Sequence, residues 1–565
     1  MGMGSAAILA GLLAGCGGGS NTNNTPSGNT PTSQTQQTTG QPQDGGTITL
    51  GTTSDIATFD PIFISDTASS DPAGLIWSNI YDVDRQGNLV VDDWSLAAQP
   101  LQISSDGLTY TIKLKPNLKW SDGQPLTADD VVFGLTMLAN PDVGSPYQSY
   151  MNTFKDAVAQ DPQTVVIHTK EVDARFQRNI LASNFVLPKH LLSNVKAADL
   201  QKNPFGNDPT KTVTNGPYIW KSWTQKQQLE LDRNPNYWGP KPHIDTWIYK
   251  VYADQNTEVQ ALKNGDVDVM TGIPIPALPT VQNASNLNIS NEPGPAWDYL
   301  GFNFKGSNFP SFGNQSPFAG LKTRQAIAMA LNRKAIVDQA LKGNGRLING
   351  PYELTGNWAS TNNGTNWPYD PAKAKQFLAD DGWKMGSDGI LQKNGHPFEF
   401  TLQYNTGNVR REQLASIIQD ELKQVGIKVD IQGVDFASWI NNNINPGKYQ
   451  AILLGWQNSI DPDMESIFSS KVGFPPNGQN SGWYVNKEAD ALWPQAYHTL
   501  DQNQRKQIYA QINKILSNDL PYVFLYQQNI INGYTKRVHW SQQDAPEPTL
   551  PGGYLYHDQV WWVSQ

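Results

Sequence analysis

Apolar residues recur along this chain in two rhythms. Thr47-Ile48-Thr49-Leu50 alternates polar and apolar, the two-residue period of a half-buried strand. The same period runs through Leu108, Tyr110, Ile112 and Leu114, and again through Ile427, Val429 and Ile431. Elsewhere the spacing is helical. Ala326, Ile327, Ala330, Leu331, Ile336, Val337 and Leu341 predict a helix over 323–341. Another is predicted over 411–425, stopped by Gly426, and a third over 505–516, ended before Pro521 and followed by a strand over 522–526. A helix near 71–81 follows an early loop. The Asp122-Gly123 turn leads to Thr127, whose spacing from Asp130 is that of a capping box opening a helix to about 139. Helices alternate with strands throughout and no internal repeat is evident, which predicts an α/β fold.

The stretch 449–463 concentrates the most information. Tyr449, Ala451, Ile452, Leu453 and Leu454 read as a buried strand that ends at Gly455 and presents Trp456. Asp461-Pro462-Asp463 then makes a turn. Ligands of open α/β sheets sit off the carboxyl ends of strands, so an aromatic followed by amide and acidic side chains there is a candidate cleft floor. The alternative is an ordinary strand and loop with a packed tryptophan.

The N-terminal segment is of a different kind. Ile8 to Gly15 is a short apolar run closed by small residues, with the proportions of a signal-peptide core and too short to span a bilayer. Leu13-Ala14-Gly15-Cys16 resembles a bacterial lipobox. It implies cleavage after residue 15, lipidation of Cys16 and attachment to the extracytoplasmic face of a membrane. Cys16 is the single cysteine, so neither an internal disulfide nor a cysteine-based metal site is available. From 17 to 46 there is no large apolar side chain, and one charge, Asp44. Residues 16–46 are therefore expected to form a flexible tether, about 30 Å long on average and about 100 Å at full stretch. The net charge of −10 argues against a nucleic-acid partner, because phosphate binding needs a basic surface. The 18 Trp, 21 Tyr and 19 Phe suit a cleft that grips a ligand by stacking and apolar contact.

Several blocks, in order, resemble bacterial ABC-importer receptors for peptides, the class that includes oligopeptide-, dipeptide- and nickel-binding proteins. They are Ser105-Asp106-Gly107-Leu108-Thr109-Tyr110, Trp120-Ser121-Asp122-Gly123 and Leu126-Thr127-Ala128-Asp129-Asp130-Val131. Asn215-Gly216-Pro217-Tyr218, Arg233-Asn234-Pro235 with Tyr237-Trp238, Ala261-Leu262 with Gly265, Val267 and Asp268, Arg324 to Arg333, and Tyr369-Asp370-Pro371 continue the match. The resemblance implies two lobes with an extra domain inserted in the first. Lobe one would take 47–77, 216–300 and 533–565, the insert 78–215 and lobe two 301–532. It further implies hinge closure over an extended oligopeptide and delivery to membrane permease subunits; a monomer with no cofactor and no metal is expected. Placed by the same resemblance, the ligand-binding residues are Thr67, Trp297, Tyr299, Phe436, Trp456, Asp461, Asn480, Ser481 and Tyr526. Trp297, Tyr299 and Trp456 would supply apolar walls, and Asn480 and Ser481 would bond backbone amides. Where many relatives hold the peptide amine with an Asp, this chain has Ser459. Asp461 or Asp463 could meet the amine instead, or could cap a helix over 464–469.

No enzyme is expected. The seven histidines include no pair three or four apart, and no His-Glu-x-x-His, Gly-x-Ser-x-Gly or Walker A sequence occurs. Ser193 to Lys196 fits Ser-x-x-Lys without the companion motifs. The alternatives to a peptide receptor are an oligosaccharide receptor of the same fold and, behind it, a secreted hydrolase.

Overall fold

The computed structural model describes residues 41–85, 87–406, 408–435, 439–475, 478–546 and 557–564. The signal run, Cys16, most of the tether and Phe436 lie outside the described residues. Two long strands organise the rest. Leu287–Phe302 and Tyr522–Thr535 pair antiparallel through the middle of one large sheet, from Leu287 opposite Thr535 to Gly301 opposite Tyr522. On one side of this pair the sheet continues through Val269–Met270, Thr47–Thr52, Thr246–Val251, Gln228–Arg233 and Tyr218–Thr224. On the other it continues through Ala451–Gln457, Glu399–Asn405 and Lys428–Val434. These halves are the sheets of the two lobes.

The strands form where the two-residue period placed them. In Thr47–Thr52, Ile48 and Leu50 are buried beside Trp247 and Tyr249 of the parallel neighbour. In the other half, Leu402 and Leu453 pack with Leu300, Phe302 and Val523. The helix Val409–Lys423 covers that sheet with Leu414, Ile418 and Leu422, and Gly426 beyond its end takes a positive φ of 85° that favours glycine. A separate antiparallel sheet, Gln102–Ile103, Thr109–Lys113, Thr164–Thr169 and Phe154–Asp161, carries the helix Ala128–Ala139 on one face. Its Tyr110, Ile112 and Val165 belong to the same apolar cluster as Ile48 and Trp247, so this layer is fused to the first half.

Two expectations shift. The helix expected over 323–341 is two, Leu321–Ala330 and Arg333–Ala340. Leu331 is extended, the Asn332 side chain accepts from Ala335 N–H to start a new helix, and Glu421 receives the Asn332 N–H. Periodicity is blind to that break, because buried apolar residues continue on both sides of it, Ala326 to Ala330 before and Ile336 and Val337 after. The helix expected near 71–81 runs over Thr67–Ile76, started by the Asp66 side chain accepting from Ser69 N–H.

The crossing pair is irregular at two places, between Pro293 and Trp297 and again between Asp298 and Tyr299. Pairing lapses between Pro293 and Trp297, over Gly294-Pro295-Ala296, because proline offers no ladder donor. Just beyond, buried Asp298 accepts from Arg410 and Arg411 at 2.9 and 3.1 Å and from the Tyr526 hydroxyl at 2.8 Å. Burial by itself would raise the Asp298 pKa, yet the two guanidiniums hold it below the ordinary carboxylate range.

Candidate functional site

The strand Ala451–Gln457 ends where the two halves face each other, and two cavities open around that end. The larger, about 780 Å3, has Trp456, Ser459, Asp461, Asp463 and Glu465 on one wall and Tyr147, Tyr150, Asn152, Arg175 and Asn179 on the other. The second, about 650 Å3, lies against the first half of the sheet, with Gly51, Thr52, Thr67, Asp71, Glu258 and Thr271 among its lining residues. Gln457 lines both, so the two are adjoining chambers of one cleft. Each has the size of a typical small-molecule site. Trp456 is held by stacking: its ring lies 6.4 Å from Tyr299 at 11°, and Tyr299 stacks on Tyr522 at 3.9 Å.

The acidic loop after Trp456 is wired to two arginines. Asp461 is buried and accepts from Arg505 through both oxygens, at 2.9 and 3.1 Å. The Arg505 guanidinium also lies over Trp358 and Tyr509, 5.2 and 5.4 Å from their ring centres. Asp463 and Glu465 meet Arg175, which reaches across the cleft from the opposite wall at 3.2 Å to each. Arg175 is oriented by two bonds to Asp173, at 2.9 and 2.8 Å, and sits 4.0 Å over the Tyr497 ring. Burial pushes the Asp463 carboxyl up and that of Glu465 up to about 7, against the pull of Arg175. A second cross-cleft contact stacks Arg178 on Trp358 at 4.9 Å. Asn458 Nδ2 and Asp463 Oδ1 have no hydrogen-bond partner among the described residues.

Of the residues singled out in the sequence, Thr67 lines the second chamber, and Trp456 and Asp461 line the first. Trp297 is fully buried, its indole donating to Asn458 at 3.1 Å, and Tyr299 lies beneath Trp456. Tyr526 is buried on Asp298. Asn480 donates to and accepts from the Tyr484 backbone, and Ser481 shares a hydrogen bond with the Tyr449 hydroxyl at 3.1 Å. The helix after the turn is Glu465–Phe468, and the Asp461 side chain accepts from Asp463 N–H in the turn itself. Sequence reading passed over Arg175, Gln457 and Glu258. Arg175 sits in a region read only for its motifs, although Asp173 two residues before it was a local sign of a fixed guanidinium.

Residues 92–477 match the family described as bacterial extracellular solute-binding proteins, family 5. The chain belongs to that family. A family 5 protein of this length has relatives along its whole extent. It is 32% identical over 570 residues to the oligopeptide-binding protein AppA of Bacillus subtilis (strain 168), covering 99% of this chain and 97% of AppA. The solved structure of the Bacillus subtilis AppA in complex with a nonapeptide superposes with a TM-score of 0.76 over 93% of this chain and all of that one. NikZ from Campylobacter jejuni, solved with Ni(L-His), is 25% identical and also gives 0.76, over 91% of this chain and 99% of its own. The two-lobed fold of these solute-binding proteins is thus the fold of this family 5 chain. Among its described residues no helix is long and apolar enough to cross a membrane.

Proposed function

We propose that this protein is the substrate-binding receptor of an ABC importer and captures extended oligopeptides in the cleft between its lobes. The observation that carries this reading is the pair of chambers meeting at Gln457, walled by both lobes and bridged by Arg175. Two adjoining chambers suit a chain-like ligand better than a compact one. The full-length similarity to AppA supports a peptide as that chain. Thr67, Trp456 and Asp461 form wall, while Trp297, Tyr299, Tyr526, Asn480 and Ser481 brace that wall. The unpartnered Asn458 amide and Asp463 oxygen are groups a peptide backbone would satisfy.

Lobe one comprises 47–77, 216–300 and 533–565, the insert 78–215 and lobe two 301–532, turning about the break at Gly294-Pro295. An open form binds, contacts to both lobes shift the population toward closure, and a permease reopens it. No covalent step is involved. The protein works as a monomer tethered through lipidated Cys16 at the outer face of a membrane. Titration calorimetry with a mixed peptide pool and with a set of oligosaccharides tests this. Saturable heat with peptides is expected; heat with sugars alone, or turnover of any chromogenic hydrolase substrate, overturns it.

A further inference from the structure

The second chamber carries a charge pattern that the peptide reading alone leaves unused. Its wall includes the carboxylates of Asp71, Asp82, Glu258 and Asp558, and no lysine or arginine is among its described lining residues. His557 is its one basic side chain, and its Nδ1 is engaged by Asp544 at 3.0 Å. The remaining lining is rich in hydroxyls and amides, such as Thr52, Ser54, Thr271 and Gln255, which hydrogen-bond without neutralising.

Glu258 decides what such a wall is for. It stands in the first turn of the helix Gln255–Asn264, where the N-terminal turn is already served by Asp254 accepting from Asn256 and Thr257 N–H. Glu258 is only 3% exposed, and its carboxylate forms no hydrogen bond or ion pair with any described residue. It faces Gly51, where an added Cβ would fall 2.9 Å from Glu258 Cγ and 3.0 Å from Oε1, so a side chain at 51 would press on the carboxylate. A buried carboxylate without a partner is costly, and glutamine would fill the same volume without the charge. An ammonium or guanidinium entering the chamber removes that cost by supplying charge-assisted donors.

We infer that the second chamber selects cationic cargo: it takes the lysine or arginine side chain of the bound peptide, with Glu258 as the specificity-determining acceptor. This rests on the peptide-receptor reading and narrows it. An acidic peptide would instead bring a second carboxylate against Asp71, Asp82 and Glu258.

The test uses the whole protein stripped of co-purified ligand, with length-matched peptides that differ at one position by Lys, Gln or Glu. That position is scanned along the peptide. Calorimetry of the wild type is expected to show, at one position, Lys favoured over Gln by about tenfold or more, with Glu weakest. In Glu258→Gln the Lys-to-Gln ratio should fall toward one, with a thermal melt showing that the variant is folded. Glu258→Asp, which keeps the charge, should retain part of the ratio. Equal affinities for all three peptides in the wild type, at every position, would overturn the cation assignment and leave the peptide receptor standing. An undiminished ratio in Glu258→Gln would overturn the role of Glu258. Absence of binding by every peptide would remove the receptor reading itself and this inference with it.

Discussion

Asp461 shows how a side chain at the mouth of a cleft can be bound inward. Its two oxygens are occupied by Arg505, which is fully buried, so the pair holds the turn after Trp456 against the helix Gln502–Asp519. Truncating one partner of such a pair strands the other charge in the interior. Arg505→Met should therefore cost about 3–5 kcal/mol, read as a lower denaturant midpoint at unchanged slope. Glu258 makes the opposite prediction. Burial pushes its carboxyl up to about 7, above the usual glutamate value, so the folded state favours the protonated form. Wild-type stability then falls relative to Glu258→Gln as pH rises from about 4.5 to about 7, and the gap levels off above that. The gap should reach on the order of 1–2 kcal/mol once screening by chamber solvent is allowed for. Thermal melts of both proteins across that range check it, and a gap that shrinks with rising pH would refute the assignment. Trp456 was legible in sequence because a Gly-Trp at a strand end announces itself. Glu258 was not, since nothing in a helix's first turn tells whether a carboxylate caps, meets solvent or faces a cavity.

Elements are where the sequence spoke most clearly, and the reason is periodicity. Strands with one buried face and helices with one apolar stripe write their geometry into adjacent positions, as 47–50, 411–425 and 505–516 do. The Thr127–Asp130 pair was equally visible, yet its larger role is tertiary. Asp130 accepts from Thr127 N–H at 2.9 Å and, through its other oxygen, from Lys189 N–H at 2.9 Å, which ties the start of the helix Ala128–Ala139 to a second helix, Lys189–Leu192. Asp130→Ala would leave two backbone donors unpaired in a buried corner, so its cost should exceed that of a simple cap, at about 2–4 kcal/mol. Asp130→Asn, which keeps one acceptor, should recover roughly half, and chemical denaturation of the two variants distinguishes these roles. The break at Leu331-Asn332 and the lapse at Gly294-Pro295 were not legible. The first depends on Glu421, 89 residues away, accepting the Asn332 N–H. The second shows only once the partner strand is known.

Closure belongs to the whole molecule, and its most exposed dependency is Arg175. Its guanidinium is fixed to Asp173 on its own side and reaches Asp463 and Glu465 on the other, with Tyr497 beneath it. Arg178 on Trp358 adds a second bridge. The contacts to Asp463, Glu465, Tyr497 and Trp358 join the region 78–215 to the region 301–532, so on the proposed hinge motion they belong to the closed arrangement. They contribute to the closed state without touching the crossing strands about which the lobes turn. Removing Arg175 leaves Asp463 and Glu465, both raised by burial, facing each other without the cation between them. In Arg175→Ala the closed population should fall, and ligand affinity with it, by about 10- to 100-fold if the bridge is worth about 1.5–3 kcal/mol. Because Arg175 also lines the first chamber, an equal loss for every ligand would assign its role to closure, whereas a loss that discriminates among ligands would assign it to direct contact. Small-angle scattering of the variant should show a larger radius of gyration without ligand and recovery of the compact particle at saturating ligand. A radius identical to the wild type, with affinity unchanged, would mean that the bridge merely decorates a closure driven from elsewhere.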